Sequence, residues 1–295
     1  MTSKLVAVSS LVIGVLLSAD PARASSSGAR VRYAWTVDVP IAVSGVALLV
    51  TGNAIHTDMV VVPPEGLDVD DIHWELDRRA VHDVDEHADP RSSTMRDVAL
   101  TLPLVLGVAV AESGNRLHAG VDRIAMVTES LALAEGITNV LKSSVSRPRP
   151  FTYLDESQRP ATPHYDVRAE RAFQSMPSGH ASTAWCSVGV LLTDPWLDQP
   201  SSSWIRRTSV GFVGSTVATA TGGLRVEAGQ HFTTDVVVGG LIGTACGIAV
   251  PLLHGYIEKG TRVAHPTTRG WLERAAGVAV GFGSGLLLTD LLGDQ

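Results

Sequence analysis

Three short segments of this 295-residue chain bring together residue types that can hold an anion and transfer it. The first carries Lys142, Arg147, Arg149 and Pro150; the second is Pro177, Ser178, Gly179 and His180; the third runs from Arg225 through His231 to Asp235. Lys142, Arg149 and Arg225 are cations, and Arg forks meet phosphate oxygens two at a time. Ser178 and Gly179 directly precede an apolar helical run, which places them at a helix N-terminus, itself an anion site. His231 and Asp235 are four apart, so a helix puts them on one face, where the carboxylate can hold one ring nitrogen and leave the other free. An imidazole held that way is a nucleophile toward phosphorus, and His180 is then available as the general acid for the departing oxygen. The set describes phosphoryl transfer through a phosphohistidine. Lys and Arg supply the electrostatics that a divalent ion supplies elsewhere, so the reading requires no metal and no cofactor.

The elements that must position these residues are helices. Apolar runs recur at about 35–54, 98–111, 124–141, 181–192, 210–220, 236–253 and 275–292. None of comparable length alternates strictly, so the fold class is all-α, a helical bundle with about six core helices. The glycines from Gly277 onward fit either tight helix packing or a strand. Each polar segment falls at the same end of a helix hairpin, and an up-down bundle gathers all three on one face.

The runs at 35–54 and 236–257 are comfortable membrane spans. Arg116 and Arg123, then Arg206 and Arg207, then Lys259, Arg262 and Arg269 fall on alternate loops, the pattern of a polytopic membrane protein with those loops inside and the site extracytoplasmic. Mean hydropathy is only +0.19, and Glu129 and Glu135 interrupt the third run, where an ionised carboxylate must face a bundle interior. A soluble bundle with buried core helices has the same signature. Residues 1–24 are laid out as a secretory leader or N-terminal anchor: Lys4, an apolar run, then Ala22, Arg23 and Ala24 as a small-x-small cleavage site. Cleavage of a leader followed by a spanning 35–54 helix would put the next segment inside, and the sequence does not choose among the topologies that avoid this.

The formal net charge of −7 comes from 30 acids against 23 Lys and Arg. Residues 57–96 hold 11 acids and 4 bases, so this one segment carries the whole imbalance. A chain with no basic face is a poor nucleic-acid binder. His82, Asp83, Asp85, Glu86, His87 and Asp89 lack the glycine and terminal Glu of a calcium loop and the HExxH arrangement, and read as a solvated helix face. Cys186 and Cys246 lie inside apolar runs and read as buried thiols. Connectors fall at 62–66, at 194–200 and, longer and proline-rich, at 147–177. Arg147 reads as a loop or entrance charge.

At its polar segments the chain resembles the phosphatidic acid phosphatase type 2 superfamily, which also includes bacterial class A acid phosphatases and vanadium haloperoxidases. The family pattern is K-x6-R-P, then P-S-G-H, then S-R-x5-H-x3-D. Lys142 through Arg149 and Pro150 match the first part, Pro177 to His180 the second, and Arg225, His231 and Asp235 the third. The resemblance covers roughly 98–257. It implies that Lys142, Arg149, Ser178, Gly179 and Arg225 bind phosphate, that His231 attacks, that Asp235 orients it, and that His180 is the acid. Leu224 stands where the family has Ser, which removes about one ordinary hydrogen bond, roughly 1 kcal/mol.

The expected layout is a leader or anchor at 1–24, a first helix with the acidic extracytoplasmic segment at 25–96, the phosphatase core at 97–258 and a C-terminal apolar segment at 259–295. If the bundle is embedded, the resemblance implies lipid phosphates or prenyl diphosphates as substrates. A soluble exported acid phosphatase, a vanadate-dependent haloperoxidase and an inactive anion-binding scaffold are the other readings. Opposite charge on one side also suggests the acidic segment as a lid over the cationic pocket.

Overall fold

The computed structural model describes residues 30–57, 67–81, 84–110, 116–198, 202–258, 261–262 and 266–293. The expected leader, the 62–66 connector and Lys259 lie outside the described residues. The fold is an all-α bundle as expected, and among the described residues the long helices are α1 Trp35–Thr57, α2 Ala88–Val110, α3 Arg116–Val145, α4 Gly179–Leu192, α5 Trp204–Glu227, α6 Thr233–His254 and α7 Thr268–Gly293. A one-turn helix, Glu75–Arg78, precedes α2, and short strands β1 Arg30–Val31, β2 Tyr256–Glu258 and β3 Thr261–Arg262 form a small antiparallel sheet in that order.

The helix α4 is the shortest of the seven and the most enclosed, packed by α2, α3, α5 and α6. Its Ala184, Val188 and Leu192 join Met95 and Ala99 of α2 and Val217 and Leu224 of α5 in the main apolar cluster. Leu224, at the position of the family's serine, is fully buried there, so apolar packing stands in place of a hydroxyl. The helices α1 and α7 lie outermost, on α3 and α5 respectively. Cys186 and Cys246 are buried free thiols in one cluster, as the apolar runs around them imply.

The glycine-rich run is helical. Along α7, Gly277 and Gly281 back onto the Thr208 and Phe212 carbonyls of α5, where a Cβ would collide. The same device brings α6 against α4, with Gly243 on the Ser182 carbonyl and Gly247 on that of Cys186. Backbones in such close approach gain dispersion contacts that side chains of ordinary size would prevent.

Alternation of direction puts two sets of helix ends on opposite faces. On one face, Arg91 at the start of α2 donates to the Leu292 carbonyl at the end of α7, and Ser143 near the end of α3 donates to Gly52 of α1 at 2.9 Å. At the other face, Arg123 of α3 pairs with Asp194 after α4 at 2.9 Å, Arg207 of α5 with Glu273 of α7, and Arg274 with Asp198. Three of the cations that follow the charge pattern expected of inner loops, Arg123, Arg207 and Arg269, are therefore matched by acids.

Four helical segments are long and apolar enough to cross a membrane: Trp35–Ile55, Gly120–Tyr153, Thr233–His254 and Thr268–Gly293. Their outward faces carry exposed apolar residues, among them Val43, Val50, Ile124, Leu241, Val280 and Leu287. A contiguous apolar exterior of that kind suits lipid better than water. Substituting Gly243→Val should overpack the α4–α6 contact and lower stability by about 1–3 kcal/mol, read as a lower thermal midpoint in detergent; an unchanged midpoint would show that the close approach is dispensable.

Candidate active site

The three polar segments meet at one face of the bundle, as their position on the hairpins requires. Lys142 sits in the last turn of α3, and its Nζ rests over Gly179, where a Cβ would lie 3.3 Å from the ammonium. Any side chain at 179 would push against that cation, which explains the glycine. Ser178 caps α4 by accepting the Ala181 N–H at 3.4 Å, and its own N–H donates to the Asp235 carbonyl at 2.9 Å. The expected phosphate-binding N–H of Ser178 is thus used within the protein. Gly179 and His180 supply the first-turn N–H groups of α4, which no intrahelical carbonyl can meet.

Arg149 follows α3 in the loop. It donates through Nε to the Arg171 carbonyl at 2.7 Å and through Nη1 to Gln230 Oε1. Arg225, in the last turn of α5, donates to Asp89 and, at 3.4 Å, to Ser92 Oγ, while its buried Nε has no partner. Lys142, Arg149 and Arg225 all act electrostatically on both histidines. Burial and these three cations hold His231 well below the ordinary histidine range, so it is neutral. His180 is lowered to about 2, by burial first and then by Arg225, Arg96, Lys142 and Arg149.

His231 is 1% exposed, and its Nδ1–H donates to the Ser175 carbonyl at 2.6 Å, which leaves the lone pair on Nε2. The carboxylate of Asp235 was expected to make that bond. It lies 3.9 Å from Nδ1 and is engaged elsewhere: Oδ2 accepts the Phe232 N–H at 2.8 Å and Ser175 Oγ at 2.5 Å, and Oδ1 accepts Arg147 at 2.6 Å. The i, i+4 spacing was sound, but His231 precedes the helix that Asp235 caps, so the two do not share a helix face. Asp235 reaches His231 through Ser175.

Arg147 is no entrance charge. Its guanidinium spans Asp235 and Asp77, the latter at 2.8 Å, and lies 4.0 Å over the Phe232 ring. Asp77 is fully buried and also accepts the N–H and hydroxyl of Thr234 at 3.0 and 2.6 Å. This correction extends to the acidic segment. Asp89, expected on a solvated face, pairs with Arg225, and Asp77 of the same acidic segment pairs with Arg147; His82 and Asp83 lie outside the described residues.

The N-terminal turns of α2 supply further residues that hydropathy does not reveal. The helix starts at Ala88, some ten residues before the apolar run, because its first turns are amphipathic: Met95 and Ala99 face the core while Ser93 and Arg96 face the site. His180 Nε2 lies 3.2 Å from Ser93 Oγ and 3.3 Å from Arg96 Nη1. Glu135, one of the two intrahelical acids, accepts the Thr183 hydroxyl at 2.6 Å and interacts with Lys142. A cavity of about 570 Å³ lined by Asp89, Ser93, Thr162, His164 and Tyr165 opens beside Arg225 and His180.

The helical bundle thus sets two neutral histidines within electrostatic reach of Lys142, Arg149 and Arg225. Residues 124–259, the segment that carries all three motifs, match the family model described as PAP2 superfamily, the superfamily those motifs resemble. Neither the curated proteins nor the solved structures give a match. Asp77, Asp89, Ser93 and Arg96 stand before the matched segment.

Replacing Arg147 with Ala strands two buried carboxylates and should cost about 3–5 kcal/mol in chemical denaturation. Arg147→Lys keeps the charge but not a fork that reaches both acids, and should recover only part.

Proposed function

We propose that this protein is a phosphatase that releases phosphate from a lipid phosphate or prenyl diphosphate through a covalent intermediate on His231. The observation that carries the reading is the pairing of a buried, neutral His231, its Nδ1–H fixed by the Ser175 carbonyl, with Lys142, Arg149 and Arg225 around it. Cations arranged this way stabilise the charge on transferring phosphoryl oxygens without reorganisation. The free Arg225 Nε and the first-turn N–H groups of Gly179 and His180 are donors for those oxygens.

In the first step, the Nε2 lone pair of His231 forms the P–N bond as the P–O bond to the leaving group breaks, and His180 gives its proton to the departing oxygen. In the second, neutral His180 takes a proton from water, the resulting hydroxide attacks phosphorus, and the P–N bond returns its electron pair to His231. Asp235, Ser175 and Arg147 hold the nucleophile in register throughout. An active site that keeps His180 neutral when empty must receive the proton with the substrate. A phosphate monoanion delivers it, and the remaining negative charge offsets the cations that had excluded it from His180.

The lipid class is supported by the outward apolar faces and the four helices of membrane-crossing length. An apolar groove of about 420 Å³ between α5, α6 and α7, lined by Trp185, Val236, Leu241, Phe282 and Leu286, begins at Thr233 beside the site and gives a hydrocarbon chain a place to lie. A soluble exported acid phosphatase is the second reading. We take the site to face the extracytoplasmic side.

The detergent-solubilised protein should release phosphate from lipid phosphates faster than from soluble monoesters. His231→Ala should lower the rate by about 10³-fold or more; an unchanged rate would refute the mechanism. With His180 at about 2 in the empty site, kcat/KM should show no enzyme histidine limb between pH 4 and 6 and should fall as substrate loses its second proton near about pH 6. Substrates of lower phosphate pKa should move that fall to lower pH. A limb near 6.5 that ignores the substrate would mean an unperturbed His180.

A further inference from the structure

We propose that Asp38, Glu129 and His254 form a binding site for one divalent cation of the zinc class at the face of the bundle opposite the phosphatase site. This site is independent of the proposed activity. Asp38 lies in the first turn of α1, Glu129 midway along α3, and His254 at the last position of α6, and their donor atoms all lie within 4.8 Å of one another. Its separation from the catalytic end is set by α6 itself, which runs from Thr233 at one face to His254 at the other, a rise of about 30 Å at 1.5 Å per residue.

The hydrogen bonding of His254 assigns the roles. Its side chain is fully buried, and Nε2 meets Glu129 Oε2 at 2.8 Å. A histidine that ligates a metal through one nitrogen characteristically donates its other N–H to a carboxylate. That leaves Nδ1 as a lone pair, and it faces Asp38 Oδ1 at 3.3 Å, with both atoms buried and without a hydrogen-bond partner. Two buried acceptor atoms do not rest against each other unless a positive charge lies between them. Their spacing equals the ligand-to-ligand edge of a tetrahedral zinc site, about 3.4 Å for Zn–N and Zn–O bonds of about 2.1 Å. Imidazole plus carboxylate selects zinc-class ions over magnesium or calcium. A divalent ion also neutralises both carboxylates, whereas a proton on His254 would leave one negative charge over.

The environment closes the site on one side. The Tyr33 ring stands edge-on to His254 at 6.3 Å, and Arg32 Nε donates to the His254 carbonyl at 3.1 Å. An ion here would clamp α1, the helix that packs chiefly on α3, to α6.

The full chain, purified in detergent and stripped with chelator, should bind one equivalent of Zn2+ in calorimetry, and its thermal midpoint should rise on Zn2+ addition. His254→Gln and Asp38→Asn should each weaken that binding by at least about 100-fold, and Glu129→Gln by about 10–100-fold, the range for a ligand's orienting partner. Hydrolysis of a soluble phosphoester should be unaffected by Glu129→Gln. If the substituted proteins do not fold, X-ray absorption of the zinc-loaded wild type should show a mixed nitrogen and oxygen shell. Absence of stoichiometric Zn2+ in the wild type, undiminished binding in His254→Gln, or an all-oxygen shell would overturn the proposal. Stabilisation by lowering pH with no response to Zn2+ would overturn it too, by assigning the triad to a protonated His254.

Discussion

Arg147 is held between Asp77 and Asp235, two carboxylates with fully buried side chains, and the face of the bundle that carries the three motifs is organised around that contact. Buried acids of this kind are tolerable only when every oxygen is met. Here the oxygens are met by Arg147, Thr234, Ser175 and the Phe232 N–H. The result joins three stretches distant in sequence: the one-turn helix at 75–78, the loop after α3 and the start of α6. Ser175 closes the arrangement, because its hydroxyl answers Asp235 while its carbonyl fixes the His231 ring. The His231 ring is therefore oriented by a network in which one guanidinium serves two carboxylates, and the ring itself has no acid within hydrogen-bond distance.

That separation matters for the chemistry. A carboxylate bonded directly to His231 would make the ring easier to protonate at Nε2. A carbonyl acceptor fixes the tautomer while leaving the ring neutral, and the surrounding cations reinforce neutrality. Asp89 takes Arg225 instead, and also stands 3.6 Å from His164 at the mouth of the adjoining cavity. The acidic segment, which accounts for the whole formal charge of the chain, thus balances cations at two places: Asp77 at Arg147 and Asp89 at Arg225.

Much of the architecture was legible because hydropathy and motif spacing report on backbone periodicity. Every apolar run among the described residues became a helix, and the positions of Lys142, His180 and Arg225 at hairpin ends were enough to foresee their convergence. What escaped had specific physical causes. The first turns of α2 are half polar, so Ser93 and Arg96 looked like loop. Arg147 carries no spacing signature, and its partner Asp77 lies 70 residues away inside a run of acids that resembles a solvated surface. Asp235 was assigned a direct bond by a helical rule that fails at the helix boundary. Asp38, Glu129 and His254 sit singly in apolar runs, and only the packing of α1, α3 and α6 brings them together.

The central claim is that phosphorus becomes bonded to His231. Rapid acid-free quenching of the enzyme during turnover, followed by peptide mass spectrometry under alkaline conditions that preserve phosphoramidates, measures it directly. A phosphate adduct on His231 that forms and decays at rates compatible with turnover is the predicted result. Steady turnover with no adduct on residue 231, or an adduct on another side chain, would contradict the account.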